Sequence, residues 1–104
     1  MITFTELLEK AKSEKIAVHT SNKEQAKKLL SELNKRGYEW LSGDKLTDVA
    51  YYEDFRENTC YVFSRDWDEN VLDKQVKYGS LAFHQKHGYT IIEFSEIDFK
   101  ENKI

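Results

Sequence analysis

Hydrophobic positions in the first third of the chain follow two different spacings. Residues 3–14 carry apolar side chains at helical spacing, and Thr3 and Glu6 have the separation of a capping box, so an amphipathic helix is predicted there. Residues 15–19 are apolar and partly β-branched, which is typical of a strand. Residues 22–36 predict a second helix. Its apolar positions are Ala26, Leu29, Leu30 and Leu33.

The ends of this second helix carry separate signals. Ser21 and Glu24 have capping-box separation at its start, and Gly37 suits the left-handed position just past its end. Residues 38–41 then alternate as in a strand. Residues 15–41 therefore predict a strand–helix–strand unit with a right-handed crossover. Its two strands are expected to be parallel if they share a sheet.

The pattern is weaker after this unit. A charged loop with a helical turn is predicted over residues 42–58, a strand over 59–64, and a loop or short helix over 65–76. Ser80 is placed to cap a short helix that ends at Gly88.

A last strand is predicted over residues 89–94, followed by a final turn. The second half thus repeats the order strand, helix, Gly-Tyr, strand. Either the chain contains an internal duplication, or Gly-Tyr is simply a good way to end a helix and begin an aromatic strand. Residues 1–104 are expected to form one α+β or small α/β domain, with an N-terminal helix, a β-α-β unit and a mixed sheet of about four strands.

Composition narrows the setting. The chain has 104 residues, and aromatic residues make up 13%, which argues against a disordered chain. Its single cysteine, Cys60, excludes an internal disulfide, and the N-terminus lacks the pattern of a signal peptide. No apolar run approaches the roughly 20 residues that a transmembrane helix needs. We therefore expect a cytoplasmic protein that does not insert into membranes.

Acidic side chains are concentrated in residues 44–73. The net charge is −3, but this block alone holds nine acidic and three basic residues. Such a surface disfavours direct nucleic-acid binding and suits a basic protein partner. The alternative is a solvated loop region that keeps the domain soluble. The predicted partner-binding residues are Tyr51, Tyr52, Phe55, Asp66, Trp67, Asp68 and Glu69.

Tyr38 and Trp40 have two interpretations. They can pack in the core against the second helix, or Trp40 can stand beside a ligand. Ligands of parallel sheets bind beyond the carboxyl ends of the strands, here residues 19–21 and 42–44, and a helix start favours an anion. A nucleotide-type anion is the expected ligand, and a homo-oligomer would help to close the pocket. The predicted ligand-binding residues are His19, Thr20, Ser21, Trp40, Ser42 and Lys45.

Catalytic and metal-binding patterns are weak. The four glycines do not form a phosphate-binding loop. His84 and His87 have the spacing of metal ligands, but no further ligands stand near them in the sequence. Cys60 with His19 forms a nucleophile–base pair only if their strands are neighbours, and a buried structural cysteine is the commoner case. No enzyme activity, cofactor or metal is predicted.

Three segments together resemble a known group of proteins. They are KIAVHTSNKEQAKKLLSELNKRGYEWLSG, NTCYVF and HGYTIIEFSEIDF, within residues 15–99. Their order is similar to that of small accessory proteins encoded by phages and prophages of low-GC Gram-positive bacteria. The resemblance implies a protein that acts by binding, either as an inhibitor of a host defence effector such as a CRISPR nuclease or as a sponge for a defence signalling nucleotide. It carries no functional residues with it.

Overall fold

Three helices are present in the described part of the computed structural model, which comprises residues 1–40, 42–48, 50–63 and 74–99. They are α1 (Phe4–Ala11), α2 (Lys23–Lys35) and α3 (Leu81–Lys86). Within these residues, no helix combines the length and apolar character that crossing a membrane requires.

The strands form one mixed sheet and one small parallel pair. The strands are β1 (Ile2–Thr3), β2 (Ile16–Thr20), β3 (Glu39–Trp40), β4 (Thr59–Val62), β5 (Gln75–Ser80), β6 (Thr90–Glu93) and β7 (Ile97–Asp98). The sheet has the order β3-β5-β4-β2-β6, and β1 pairs with β7. Strand β4 is antiparallel to both of its neighbours, whereas β3 is parallel to β5 and β6 is parallel to β2. The fold is therefore α+β, as predicted.

Hydrogen bonds at the helix starts confirm one predicted cap and correct the other. The Thr3 hydroxyl accepts from the Glu6 N–H at 3.1 Å, and the Glu6 carboxylate accepts from the Thr3 N–H at 3.0 Å. Helix α2 is instead capped by Asn22, whose side-chain oxygen accepts from the Gln25 N–H at 2.8 Å. The predicted box of Ser21 and Glu24 is wrong because the cap lies one residue later.

Helices α2 and α3 end in the same way. Gly37 and Gly88 have φ angles of +87° and +80°, a region that side chains other than glycine rarely adopt. The N–H of the next residue then reaches back into the helix, from Tyr38 to the Leu33 carbonyl at 3.1 Å and from Tyr89 to the His84 carbonyl at 3.0 Å. This is the Schellman arrangement in both places.

Two β-α-β units interleave in the sheet. Strands β2 and β3 are joined through α2 and are separated by β4 and β5, whereas β5 and β6 are joined through α3 and are separated by β4 and β2. The two connections cross the sheet in opposite directions and on opposite faces, so both crossovers have the same hand. In the strand order, the two units are therefore arranged symmetrically about β4.

The core lies mainly on one face of the sheet. Helix α2 packs there against Ile16, Val18 and Tyr61, and Trp40 is only 3% exposed. The core interpretation of Trp40 is therefore confirmed. A smaller cluster of Ala17, Cys60 and Val62 lies on the other face. It is covered by Leu81, Tyr89 and Ile91.

The sheet has five strands rather than the expected four or so, because the sequence pattern does not predict β5. Residues 75 and 76 fell in a predicted loop or short helix, and Gly79 and Ser80 resemble turn residues. Strand β5 forms because residues 77–80 pair with β4, from Val62 opposite Lys77 to Thr59 opposite Ser80, and residues 75 and 76 pair with β3. Strand β3 is shorter than predicted, and Leu41 and residues 64–73 lie outside the described residues.

Candidate functional site

The two segments of the predicted ligand site, residues 19–21 and 42–44, do not come together at one edge of the sheet. Strands β2 and β3 are parallel, but two other strands lie between them, so they are about 14 Å apart. Val18 aligns with Tyr61 and Tyr78, whereas Trp40 aligns with Val76, two residues earlier along β5. Strand β3 therefore stops well short of the level at which β2 ends.

His19 and Trp40 also lie on opposite faces of the sheet. Trp40 packs in the main core, whereas His19 is paired with Cys60, which belongs to the smaller cluster on the other face. Successive side chains of a strand alternate between faces, so neither residue can turn toward the other. The expectation that one pocket holds both residues is wrong.

The other predicted ligand-binding residues make local contacts. Thr20 is buried and its hydroxyl donates to the Thr59 carbonyl at 3.1 Å. The Ser21 hydroxyl donates to the Gln25 side chain, and the Ser42 hydroxyl donates to the Asp44 carboxylate, each at 3.1 Å. Lys45 pairs through its backbone with Glu39.

His19 instead connects the sheet to a loop. Its Nδ1 lies 2.7 Å from a Glu93 carboxylate oxygen, and its Nε2 lies 2.6 Å from the Glu57 carbonyl oxygen. The imidazole thus ties β2 and β6 to the turn Arg56–Asn58.

Cys60 is a structural residue. It stands beside His19 in the sheet and is completely buried. Burial raises the pKa of its thiol to about 12, so the thiol stays protonated at neutral pH. A nucleophile needs the thiolate, so the pair of Cys60 and His19 lacks the activation that catalysis requires.

Residues 53–58 are six consecutive exposed residues between β3 and β4, and we call them the ridge. All six are exposed, and they comprise parts of the single turns Tyr52–Asp54 and Arg56–Asn58. Tyr51 and Arg56 have φ angles of 57° and 50°, in the left-handed region that non-glycine residues seldom occupy. Phe55 stands on the ridge with 38% of its surface exposed.

An aromatic cluster supports the ridge from below. Tyr51 stacks on Tyr78 with ring centroids 4.7 Å apart and planes 4° apart. Trp40 meets the Tyr51 ring edge-on at 4.9 Å, and Phe55 lies 6.0 Å from the Tyr78 ring. These contacts join the exposed segment to the main core.

Tyr78 also anchors the ridge through its hydroxyl, which donates to the Asp54 carboxylate. This hydrogen bond raises the pKa of Tyr78 to about 12, with burial as the second cause. The phenol therefore remains a donor at neutral pH. Tyr78 could not be identified from the sequence, because its partner Asp54 lies 24 residues away and the strand that carries it is not predicted.

The predicted partner-binding residues divide into three groups. Phe55 is exposed on the ridge, whereas Tyr51 is half-buried just before the ridge and stacks on Tyr78, and a role of either residue in partner binding stays a prediction. Tyr52 is only 8% exposed and belongs to the core, so its assignment to a partner surface is corrected. The single turn of helix that begins at Tyr52 directs its side chain inward, while the next residues face outward. Asp66, Trp67, Asp68 and Glu69 lie outside the described residues.

Grooves flank the ridge on both sides. The groove toward α2 has a volume of about 660 Å³ and the groove toward α3 about 430 Å³. The charged residues of the α2 groove are of both signs: Lys23, Lys27, Asp48, Glu53 and Asp54. The α3 groove is lined by Asp54, Phe55, Asn58, Ser80, Leu81, Ala82 and Gln85.

A metal site is not apparent in the part of the chain that the structure describes, where no three His, Cys, Asp or Glu side chains are grouped suitably. His84 is buried, and burial lowers its pKa. Its Nδ1 lies 2.9 Å from the Ser80 carbonyl oxygen, while the His87 ring packs on Phe83 at 4.2 Å. The two imidazoles are therefore engaged in separate contacts.

Comparisons of the chain with protein-family models, curated proteins and solved structures give no match. The candidate site is therefore defined by geometry alone. It consists of the ridge, its aromatic support and the two grooves beside it.

Proposed function

We propose that this is a non-enzymatic, phage-type accessory protein that inhibits a host factor by docking its ridge on a basic surface. The resemblance to phage accessory proteins suggests a defence effector, such as a CRISPR nuclease, as the class of target. The observation that carries the proposal is Phe55, an exposed ring set among the carboxylates of Glu53, Asp54 and Glu57. Aromatic anchors are frequent hot spots of protein interfaces, and an acidic rim selects a basic partner.

The backbone in the ridge and just before it supports a binding role. Two non-glycine residues, Tyr51 and Arg56, hold left-handed conformations. Such conformations cost of order 1–3 kcal/mol each and persist where the surroundings fix them. The stacked Tyr78 ring and the His19 bond to the Glu57 carbonyl supply that fixation. A surface held in place before binding loses less entropy when a partner docks.

The test uses the tagged protein as bait in host lysate, followed by affinity measurement with the protein it captures. Phe55→Ser and Glu57→Lys should each weaken binding, and the loss for Phe55→Ser should reach about 2 kcal/mol, roughly thirtyfold in affinity. Glu9→Lys is the matched control, because it makes the same charge reversal at an exposed position of α1. Equal affinity for the wild type and both ridge variants would contradict the proposal.

A second candidate function is a nucleotide sponge at the start of α2. It is favoured by a groove of about 700 Å³ that is lined by Phe94, Phe99 and Lys28 beside Asn22, together with the carboxylates of Glu24 and Asp98. The rings would stack on a base, and Lys28, which pairs with Glu32 at 3.1 Å, would have to turn toward a phosphate. A nucleotide at 100 times its Kd should stabilise the fold by about 2.7 kcal/mol, and Phe99→Ala should abolish that gain. Unchanged melting with a panel of cyclic and linear nucleotides would remove this candidate.

A further inference from the structure

The two grooves beside the ridge differ in the charged groups that line them. In the α2 groove, Lys23 pairs with Glu53 at 2.8 Å, and Lys27 adds a second positive charge beside Asp48 and Asp54. The α3 groove shares Asp54 with the α2 groove, but none of its described lining residues is basic. A cationic guest on the α3 side therefore reaches a carboxylate without meeting a lysine of the lining.

From this difference we propose that the α3 groove is a receptor for an arginine side chain of the partner. The inference rests on the proposed docking function and names the group that the partner inserts. The groove volume of about 430 Å³ lies within the range of about 300–1,000 Å³ that small-molecule pockets have.

Asp54 is the acceptor for the guanidinium. The Tyr78 hydroxyl donates to Oδ2 of Asp54, which fixes the carboxylate at the groove and leaves Oδ1 to receive an N–H from the guest. Because hydrogen bonding to Asp54 raises the pKa of Tyr78, the phenol does not ionise beside the carboxylate at neutral pH. The orientation of Asp54 is thus set before the guest arrives.

The remaining lining residues favour arginine over lysine. The Phe55 ring offers a face on which a planar guanidinium can stack. Asn58 and Gln85 contribute amide oxygens that accept further N–H groups. Arginine presents five donors in a flat fork, whereas lysine presents three donors around a compact, strongly hydrated charge.

The inference is tested without knowledge of the partner. The ¹⁵N-labelled protein is titrated with the peptide acetyl-Gly-Arg-Gly-amide, with citrulline and lysine versions as matched probes. We expect saturable shifts of the amides of residues 54, 55, 58 and 80–85 with the arginine peptide, and at least tenfold weaker binding of the citrulline peptide. Equal affinity for arginine and citrulline would overturn the proposal.

Asp54→Asn tests the acceptor. It keeps an oxygen for the Tyr78 hydroxyl but removes the charge, and it should weaken the arginine peptide at least tenfold. Asp54 lines both grooves, so Gln85→Ala, which alters only the α3 groove, locates the guest and should weaken the peptide about threefold or more. Asp48→Asn, in the α2 groove only, is the matched control and should leave affinity unchanged. An effect of Asp48→Asn as large as that of Asp54→Asn or Gln85→Ala would contradict the assignment.

A further variant, Ala82→Arg, separates this inference from the proposed function. Ala82 is exposed and lines the groove, so Ala82→Arg should place the protein's own guanidinium there and block the peptide. If Phe55→Ser and Glu57→Lys abolish capture of the host protein while Ala82→Arg and Asp54→Asn leave it intact, docking by the ridge stands and the arginine receptor falls. If the arginine peptide binds as expected but no ridge variant alters capture, the receptor stands and the proposed function falls.

Discussion

The helices of the two β-α-β units begin and end with the same motifs but differ in length. Helix α2 is capped by Asn22 and α3 by Ser80, and in each case the capping side chain accepts from the N–H three residues later. Both helices stop at a Gly-Tyr pair. Yet α2 has 13 residues and α3 has six. Local capping therefore sets where each helix starts and stops, and the residues between decide how much each helix buries.

The difference in helix length gives the two helices different roles: α2 contributes buried apolar surface to the core, and α3 contributes exposed surface. Helix α2 buries four apolar side chains: Ala26, Leu29, Leu30 and Leu33. Helix α3 buries only His84 and leaves the Phe83 ring 46% exposed. The first unit thus builds the main core, whereas the second leaves open surface beside the ridge. We expect substitutions in α2 to act on folding and substitutions on the exposed face of α3 to act on binding.

The largest expected effect comes from truncating the same side chain in both helices. Leu30→Ala should cost about 2–5 kcal/mol of unfolding free energy, because Leu30 is 1% exposed in the close-packed core. Leu81→Ala should cost clearly less, since Leu81 is only partly buried against the smaller cluster. Urea denaturation of both variants measures the difference. Equal losses would refute the contrast between the two units.

A smaller effect is expected at the point where α3 meets its own strand. A Cβ at Gly79 would lie 2.8 Å from Cε1 of the buried His84 ring, so Gly79→Ala should destabilise the fold by about 1–3 kcal/mol. The ring has little room to move, because Nδ1 contacts the Ser80 carbonyl oxygen and the face–edge contact with Tyr89 is 4.9 Å.

The double variant Gly79→Ala/His84→Ala identifies the cause of that loss. If the clash with the ring is responsible, the cost of the Gly79 substitution should shrink when His84 is absent, with a coupling of about 0.5–3 kcal/mol. Additive losses in equilibrium unfolding would show that the strand itself, rather than the ring, resists the substitution.

Most local features of the helices could be predicted from the sequence, although the cap of α2 was placed one residue too early. The capping box of Thr3, the leucine stripe of α2 and the positions of Gly37 and Gly88 all depend on residues a few places apart. Strand β5 could not be predicted in this way. Its residues form a strand by pairing with β3 and with β4, from which β5 is separated by residues 63–74, and both pairings are properties of the folded chain.

The candidate site was predictable only in part, for a similar reason. Phe55 was anticipated because an aromatic residue among carboxylates is visible in the sequence. The support from Tyr78 was not, because it depends on the register of β4 and β5. The same registers place Trp40 and His19 on different faces of the sheet, which no spacing within residues 15–41 indicates.

The smallest expected effect is a pH dependence that belongs to α3 alone. Burial lowers the pKa of His84, with opposition from its Ser80 hydrogen bond and reinforcement from the charges of Lys77 and His87. The unfolded chain therefore takes up a proton near pH 6.5 that the folded chain resists, and stability falls as the pH drops below that value. Between pH 6.5 and 5.5 this contribution is at most about 1 kcal/mol.

His84→Gln should lose less stability than the wild type over the same interval in urea unfolding, because glutamine does not titrate. Parallel losses in the two proteins would mean that the acid sensitivity arises elsewhere, and α3 would then differ from α2 in size only.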